Sequence, residues 1–327
     1  MNGKEDSGAN SSVYWFNIMT IAGITPLLSR ADISKRLKSK DTSISPQELM
    51  KMNVAWQMAD MIGVIQPTSL AIGSGSTSKK VVQAMGELIK TNRINHTMMA
   101  IATSRELSEL AIKVGLVNTE PFDTTLLYIK SIRKGKLFKK TIAFGFDGAD
   151  EVKVLIDKNN KITGFYSIKG GGGAHTLEKI IARMTAHEVF VVDESKIVWS
   201  LGETFHLPIE VIPDGLEIVK EKLLRAYPFT EVNIKKENKG ANDFISDLGN
   251  RILMAQPKGV IKDPTEMEQT LFNDKDIKPY LIDTGFFLSV QPKTVLVACQ
   301  NGQIVQLERG DNIQPDHPFA NKILFHI

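Results

Sequence analysis

Short apolar runs alternate with helical patterns over residues 46–212, and this alternation limits the fold more than any other feature of the sequence. Strands that are apolar throughout are buried on both faces, so helices must cover both sides of their sheet. The pattern predicts an α/β fold with a Rossmann-like, mainly parallel sheet and helices on both faces. The predicted strands are Ser69–Ile72, Met98–Thr103, Thr125–Ile129, Ile142–Phe146 and Val189–Val192, and the predicted helices include Arg105–Val114 and Lys179–His187.

The pattern changes after Ile212, where polar alternation replaces the apolar runs. The region from about 214 to 283 predicts two helices, the second after Pro264, and the strands Glu231–Lys235, Asp243–Ser246 and Ile252–Met254. We therefore expect an N-terminal extension and two domains. The extension is 1–45, the Rossmann-like catalytic domain is 46–212 with 284–327, and a smaller α+β, ferredoxin-like domain for a lid or for oligomerisation is 213–283.

The composition excludes several classes of protein. The 327 residues include 40 Lys and Arg against 37 Asp and Glu, and a formal net charge of +3 gives no general attraction to nucleic acid. Cys299 is the only cysteine in the sequence, so an internal disulfide and a thiolate metal cluster are excluded. Residues 13–28 are apolar but contain Pro26, and they are shorter than the ~20 residues of a membrane span. We expect a cytoplasmic protein with no nucleic acid or membrane partner.

A loop rich in glycine and hydroxyl groups, Gly73-Ser74-Gly75-Ser76-Thr77, follows the first predicted strand. Glycines allow the backbone to approach an anion, and hydroxyl groups with the N–H groups of a helix start can bind phosphate. The loop lacks the Gly-Lys-Ser/Thr sequence of a nucleotide-binding P-loop. Taken alone, it is explained as well by an ordinary capped turn between a strand and a helix.

Three carboxylates occur within five residues after Ile142–Phe146, in Asp147-Gly148-Ala149-Asp150-Glu151. Carboxylates directly after a buried strand are costly unless cations, solvent or ligand hydroxyls meet them. The segment is therefore either an acidic turn with helix-capping Asp residues or a site for a polyol such as a sugar. Oxygen ligands alone could also hold a metal ion, but no His or Cys clusters with these acids, and we expect no metal.

Four successive glycines follow Lys169 and lead into a predicted helix. Ordering each glycine costs up to ~1 kcal/mol relative to alanine, so the run indicates close approach of the backbone to a ligand. Glu178 is expected in the first helical turn, where the helix dipole alone already favours a carboxylate. His175 is a candidate acid or base, although a histidine here is more often an exposed side chain. Lys196, in Asp193-Glu194-Ser195-Lys196, is either a phosphate ligand or a solvated lysine.

The order and spacing of these motifs resemble the type A family of ribose-5-phosphate isomerases. The matching blocks, in chain order, are GSGST, DGADE, KGGGG with a Glu nine residues after its Lys, DESK and LPIEVIP, with thinner matches at SDLGNRIL, KDP and TGFF. The resemblance extends from about Pro46 to about Gly310. It implies a homodimer or homotetramer that interconverts D-ribose 5-phosphate and D-ribulose 5-phosphate through an enediolate, without a metal or other cofactor, in the non-oxidative branch of the pentose phosphate pathway.

The resemblance also implies roles for individual residues. Glu178 would be the base that moves a proton between C1 and C2, and Lys169 would assist at the reacting oxygens. Asp147 and Asp150 would contact the sugar hydroxyls and help to open the ring. The expected substrate-binding residues, which include the hydroxyl loop and two lysines for the phosphate, are Lys51, Ser74, Gly75, Ser76, Thr77, Gly148, Ala149, Gly170, Gly171, Gly172 and Lys196.

The chain departs from the family pattern at three places. Leu177 stands where the family commonly has an Arg before the Glu. Residues 117–141 form a longer and basic connection, which is a solvated edge or else a patch for nucleic acid or an acidic partner. Residues 152–166 contain an insertion with a hairpin turn at Asp157–Lys161. We expect both insertions to lie on the surface.

Two alternative functions follow from the same residues. A sugar-phosphate-binding sensor or partner protein with reduced catalysis would use the same fold, but binding alone does not require Glu178. A nicotinamide dehydrogenase would require a different glycine spacing and an acidic residue on a matching second strand.

Overall fold

The computed structural model describes residues 45–123, 125, 142–237, 240 and 242–324. The helices within them are α1 (Pro46–Ile65), α2 (Gly75–Lys90), α3 (Arg105–Lys113), α4 (His175–Met184), α5 (Leu216–Ala226), α6 (Pro264–Asn273) and α7 (Ala320–Ile323). The strands are β1 (Ser69–Ile72), β2 (Met99–Ala102), β3 (Phe144–Asp147), β4 (Glu151–Ile156), β5 (Ile162–Ile168), β6 (Glu188–Asp193), β7 (Ile197–Val198), β8 (Leu207–Val211), β9 (Phe229–Ile234), β10 (Arg251–Pro257), β11 (Leu281–Thr284), β12 (Phe286–Phe287), β13 (Thr294–Ala298) and β14 (Ile304–Glu308).

The largest sheet has the strand order β14-β13-β6-β3-β1-β2, and all of its pairs are parallel except β14 with β13. Helices cover both faces, as the sequence predicts. On one face, α1, α2 and α3 pack against alternate residues of β6 such as Val189 and Val191. On the other face, Phe190 and Val192 pack against the β4–β5 hairpin and the segment containing α7. α4 packs on Ala71 and Ile142. The predicted α/β fold is confirmed.

A second sheet has the antiparallel order β11-β8-β10-β9. Together with α5 and α6 it forms the β-α-β-β-α-β arrangement of ferredoxin-like folds. Its core includes Ile209 of β8, Leu223 of α5, Leu253 of β10 and Leu271 of α6, and each of these side chains is fully buried. The predicted smaller α+β unit is therefore present.

A third sheet, with the order β12-β5-β4-β7, contains the insertion at residues 152–166, which was expected on the surface. The predicted hairpin turn at Asp157–Lys161 connects β4 and β5, which pair antiparallel. However, Val152 and Phe165 of this hairpin are fully buried and belong to one apolar cluster with Phe190 of the large sheet. The expectation that this insertion decorates the surface was wrong, because its apolar side chains fill the second face of the large sheet.

Other predictions need correction or cannot be compared. The predicted helix Lys179–His187 runs instead over His175–Met184, because Thr185 turns into extended backbone and pairs with Ile142. The predicted strand Asp243–Ser246 has only single bridges to two different segments, which is too little pairing for a strand. Thr125–Ile129 lies outside the described residues except for Thr125, which is helical. The extension 1–44 and the basic stretch 126–141 also lie outside them. Within the described part of the chain, no helix is long and apolar enough to cross a membrane.

Candidate active site

A cleft of about 600 Å³ lies where β1, β3 and β6 end and their loops begin. This is the edge at which open parallel sheets bind ligands. Every catalytic and substrate-binding residue that the family resemblance implies lines it, together with Val191, Val192 and Asp193. Those predicted residues are Lys51, Ser74, Gly75, Ser76, Thr77, Asp147, Gly148, Ala149, Asp150, Lys169, Gly170, Gly171, Gly172, Glu178 and Lys196.

The hydroxyl loop and the acidic loop are adjacent because β1 pairs with β3. The Gly73 N–H donates to the Phe146 carbonyl at 2.8 Å. A Cβ atom on Gly73 would lie 2.1 Å from the Asp147 carboxylate, so only glycine allows this approach. The Asp147 carboxylate in turn accepts from the Gly148 N–H at 2.7 Å. The glycine of the first motif therefore makes room for the acid of the second.

Lys169 lies at the centre of the site between two carboxylates. Its Nζ is 2.8 Å from Asp147 Oδ2 and 3.1 Å from Glu178 Oε2, and it also donates to the Gly148 carbonyl. Burial by itself lowers the pKa of Lys169, but attraction by the two carboxylates outweighs it and raises the pKa above the ordinary value. The ammonium group is therefore charged and faces the cleft.

The TGFF motif supports Lys169 from behind. The Lys169 N–H donates to the Gly285 carbonyl at 2.9 Å, and the Gly285 N–H donates to Pro208 at 2.7 Å. The ring centroids of Phe190 and Phe287 lie 5.2 and 5.3 Å from Lys169 Nζ. The backbone contacts and the two rings fix the direction of the lysine side chain.

Glu178 lies in the first turn of α4, as predicted, with its backbone N–H bonded to the Ala174 carbonyl at 2.9 Å. Its side chain is 4% exposed. Ser74 Oγ donates to Glu178 Oε1, while Oε2 faces Lys169. The carboxylate is thus held between the hydroxyl loop and the ammonium group, at the lining of the cleft.

The two Asp residues of the acidic loop have raised pKa values. Burial raises the pKa of Asp147 well above its usual range, and the charge of Glu178 raises it further against the attraction of Lys169. Burial also raises the pKa of Asp150, although the Gly171 N–H donates to it at 2.8 Å. Each carboxyl group therefore keeps its proton to a higher pH than an exposed Asp.

The glycine run is shaped by residues that the sequence analysis missed. Gly170 and Gly173 have φ angles of +107° and +90°, which strongly favour glycine. Lys235 Nζ donates to the Gly171 carbonyl at 2.7 Å, and the ring of Phe244 fills the space where a Cβ of Gly173 would lie. Lys235 and Phe244 follow β9 and belong to no motif, so nothing in the sequence pattern identifies them.

The cleft also offers groups for an anion. Ser74 is the N-cap of α2, and Gly75 (φ +90°), Ser76 and Thr77 form its first turn. Lys51 on α1 and Lys196 in the 3₁₀ turn that follows β6 line the same cleft. A helix start combined with ammonium groups is a site for phosphate.

Two residues from the acidic and glycine motifs, Glu151 and His175, do not line the cleft. Glu151 points away from the cleft and accepts from the N–H groups of Gly202 and Phe205 at 2.6 and 2.8 Å, so it anchors a neighbouring loop. His175 was expected to be exposed, but it is fully buried and its Nε2 lies 3.9 Å from Glu210 Oε2. The glycine loop packs directly on the imidazole, as shown by the 2.5 Å that would separate a Cβ on Gly170 from His175 Nδ1.

Among the residues that the structure describes, no group of three His, Cys, Asp or Glu side chains could hold a metal ion.

Comparison with known proteins identifies the family. Residues 99–302 match the family model of ribose 5-phosphate isomerase A (phosphoriboisomerase A). Ribose-5-phosphate isomerase A of Trichodesmium erythraeum is 31% identical over 266 residues, which are 80% of this chain and 96% of that protein. The protein of the same name from Staphylococcus aureus is 33% identical over 235 residues, which are 72% of this chain and 87% of that protein.

Solved structures agree with the sequence comparisons. Ribose 5-phosphate isomerase A from Methanocaldococcus jannaschii superimposes with a TM-score of 0.62 and 28% identity, covering 80% of this chain and 99% of that one. A D-ribose-5-phosphate isomerase in complex with phospho-erythronic acid gives the same TM-score, identity and coverage. The family model covers more than half of the chain, and the Trichodesmium relative covers four fifths of it. This chain therefore belongs to the ribose 5-phosphate isomerase A family.

Proposed function

We propose that this protein is an aldose–ketose isomerase that interconverts D-ribose 5-phosphate and D-ribulose 5-phosphate. Its membership of the isomerase family supports the substrate pair. The observation that supports the chemistry most directly is the position of Lys169, 2.8 Å from Asp147 and 3.1 Å from Glu178, in one cleft with the hydroxyl loop. A base, a cation for a developing oxyanion and an anion site are therefore adjacent.

Substrate binding begins at the phosphate. The N–H groups and hydroxyls of Ser76 and Thr77, at the start of α2, bind the phosphate together with Lys51 and Lys196. Binding energy from the non-reacting phosphate holds the open-chain sugar with its C1 and C2 beside the base, so that affinity assists the reaction.

Glu178 transfers the proton between the two carbons. Its carboxylate removes the proton from C2 of the aldose, the C1–C2 double bond forms, and the C1 carbonyl oxygen becomes the enediolate oxygen. Lys169 stabilises the negative charge on that oxygen. The hydroxyl proton of C2 passes to the C1 oxygen, the carbon-bound proton returns from Glu178 to C1, and the C2 oxygen becomes the ketose carbonyl. A single carboxylate within reach of both carbons is sufficient for both steps.

Asp147 and Asp150 act on the sugar hydroxyls. Their raised pKa values allow a carboxyl group to donate a proton to the ring oxygen and to accept one from the C1 hydroxyl when the ring opens. Asp147 also keeps Lys169 charged and correctly placed. The proposed reaction requires no metal, since Lys169 supplies the positive charge at the reacting oxygens.

We further propose the organisation and setting of the enzyme. Residues 46–212 with 284–327 form the catalytic domain, and residues 213–283 act as a lid or in oligomerisation. The strand β8, which ends just before residue 213, pairs with β10 and β11 and so completes the small sheet. The family resemblance supports a homodimer or homotetramer in the cytoplasm that acts in the non-oxidative pentose phosphate pathway. Light scattering on the purified chain measures the oligomeric state, and a monomer at micromolar concentration would contradict it.

The test of the proposed activity is ketose formation from D-ribose 5-phosphate, measured directly by chromatography in the presence of excess EDTA. We expect turnover that EDTA does not reduce. A sensor on the same fold would bind D-ribose 5-phosphate in a calorimeter and form no ketose, and that result would replace the isomerase proposal.

A further inference from the structure

A lysine near the end of the chain, Lys322, contacts the turn that contains Lys196. Lys322 Nζ donates to the Ile197 carbonyl at 2.7 Å and to the Glu194 carbonyl at 3.1 Å. These carbonyls lie on the two sides of Lys196 along the chain. The ammonium group of Lys322 therefore joins the two ends of the 3₁₀ turn Glu194–Lys196.

The turn is fixed from its other side by β6. Asp193 Oδ1 accepts from the Ser195 N–H at 3.0 Å and from the Ser195 hydroxyl, and the Ile197 N–H bonds to the Glu194 carbonyl. Asp193 is buried, so the start of the turn is anchored in the sheet. Lys322 belongs to a segment that is distant in the sequence. It holds the other end of the turn, at the Ile197 carbonyl that follows Lys196.

The segment that contains Lys322 is itself well held. Phe319 and Ile323, on either side of Lys322, are 4% and 8% exposed and share an apolar cluster with Ile197. Asn312 pairs with Lys161 of the β4–β5 hairpin. This segment lies after residue 302, where the match to the family model ends. Lys322 is therefore presented by a fixed support that lies beyond the residues matched by the family model.

We propose that Lys322 is a positioning residue for phosphate binding, which holds the Glu194–Lys196 turn so that Lys196 points at the substrate phosphate. This inference rests on the proposed function. Without Lys322 the turn can relax and the affinity for the phosphate group falls. The proton-transfer groups Glu178 and Lys169 lie on α4 and at the start of the glycine run, outside this turn.

The test compares Lys322→Met with Lys322→Arg, which keeps the charge and N–H donors. For Lys322→Met we expect KM for D-ribose 5-phosphate and the inhibition constant of inorganic phosphate to rise together by about three- to tenfold, with kcat within about twofold of wild type. Lys322→Arg should restore both constants to near the wild-type values. Lys275→Met, in the loop after α6, is the control for the loss of one exposed lysine.

Three results for Lys322→Met would overturn the inference. They are an unchanged KM and phosphate inhibition constant, a fall in kcat as large as the rise in KM, or a rise in KM that disappears in about 0.5 M KCl. The last would show only long-range attraction, which salt screens. If the wild-type chain forms no ketose, the proposed function fails instead. Calorimetric binding of inorganic phosphate to the same variants then still decides whether Lys322 positions the turn.

Discussion

Glu188, at the start of β6, is a buried carboxyl group that interacts electrostatically with Lys169 and Glu178, although no motif contains it. It is 8% exposed, and its Oε2 has no hydrogen-bond partner among the described residues. A Cβ on Gly145 would lie 2.7 Å from that oxygen, which shows how closely the neighbouring strand packs on it. Burial raises the pKa of Glu188 to about 7 from an ordinary value of 4.5. This carboxyl group therefore titrates close to neutral pH instead of in the ordinary acidic range.

We predict that Glu188→Gln gains stability relative to wild type as the pH rises from 4.5 to about 7. Between pH 4.5 and about 7 the unfolded wild-type chain loses this proton while the folded chain keeps it, so wild-type stability falls as pH rises through this window. Relative to wild type, the variant should gain roughly 3 kcal/mol of unfolding free energy between pH 4 and pH 8. Urea unfolding at both pH values measures it, with Glu109→Gln on α3 as the exposed control.

A constant difference between Glu188→Gln and wild type at the two pH values would contradict this account of Glu188. The sequence could not reveal such a residue, because a Glu before an apolar run usually lies in a solvated loop. Its burial depends on tertiary packing. The motif residues were different, because their order and spacing carry the family resemblance, which implies that Asp147, Lys169 and Glu178 act in one site; all three line the cleft.

At the scale of elements, α4 presents neighbouring side chains to two different partners. Glu178 faces the cleft, whereas Thr176 Oγ1 donates to Glu210 of β8 and Lys179 Nζ donates to Asp283 of β11 at 2.7 Å. Glu210 is 1% exposed and also accepts from Ser246 Oγ at 2.7 Å. The small sheet therefore holds the helix on which the proposed base lies.

We predict that Thr176→Val lowers the free energy of unfolding by about 2 kcal/mol, since it removes a donor from the buried Glu210 carboxylate. Thr176→Ser keeps the hydroxyl and should lose about 1 kcal/mol or less. Thr103→Val is a matched control: Thr103 is also buried, but its hydroxyl has no partner within the described residues, so the change should be neutral or stabilising. Denaturant unfolding of the three variants gives these values, and equal losses at both Thr positions would contradict the role of Glu210.

Element prediction succeeded where burial alone decides the structure. Ser69–Ile72 is apolar and buried on both faces, and its observed bounds are those predicted. Prediction failed where the outcome depends on distant partners. Asp243–Ser246 alternates like a strand, but its Ser246 hydroxyl joins the Glu210 network instead of extending a ladder. The β4–β5 hairpin was expected on the surface, since a sequence insertion does not show which apolar face it will cover.

At the scale of the whole molecule, the site combines segments that are far apart in the chain. The hydroxyl loop, the acidic loop and the Lys196 turn meet because β1, β3 and β6 are neighbours in one sheet. The glycine run joins them because it follows β5, which pairs with β4 directly after the acidic loop. The small domain adds Lys235 to the glycine run, and the C-terminal segment adds Lys322 to the Lys196 turn. The sequence predicted the first group from its motifs. It could not predict Lys235 or Lys322, because these residues act through contacts that only the folded chain creates.

The central claim is that Glu178 transfers the proton while separate groups bind the phosphate. Glu178→Gln tests it most directly, because the amide keeps the size of the side chain and an oxygen acceptor for Ser74 but cannot act as a base. We predict that kcat with D-ribose 5-phosphate falls by roughly 10³-fold or more, while the inhibition constant of inorganic phosphate stays within about twofold of wild type. A variant that keeps wild-type turnover, or that loses phosphate binding together with turnover, would contradict the account.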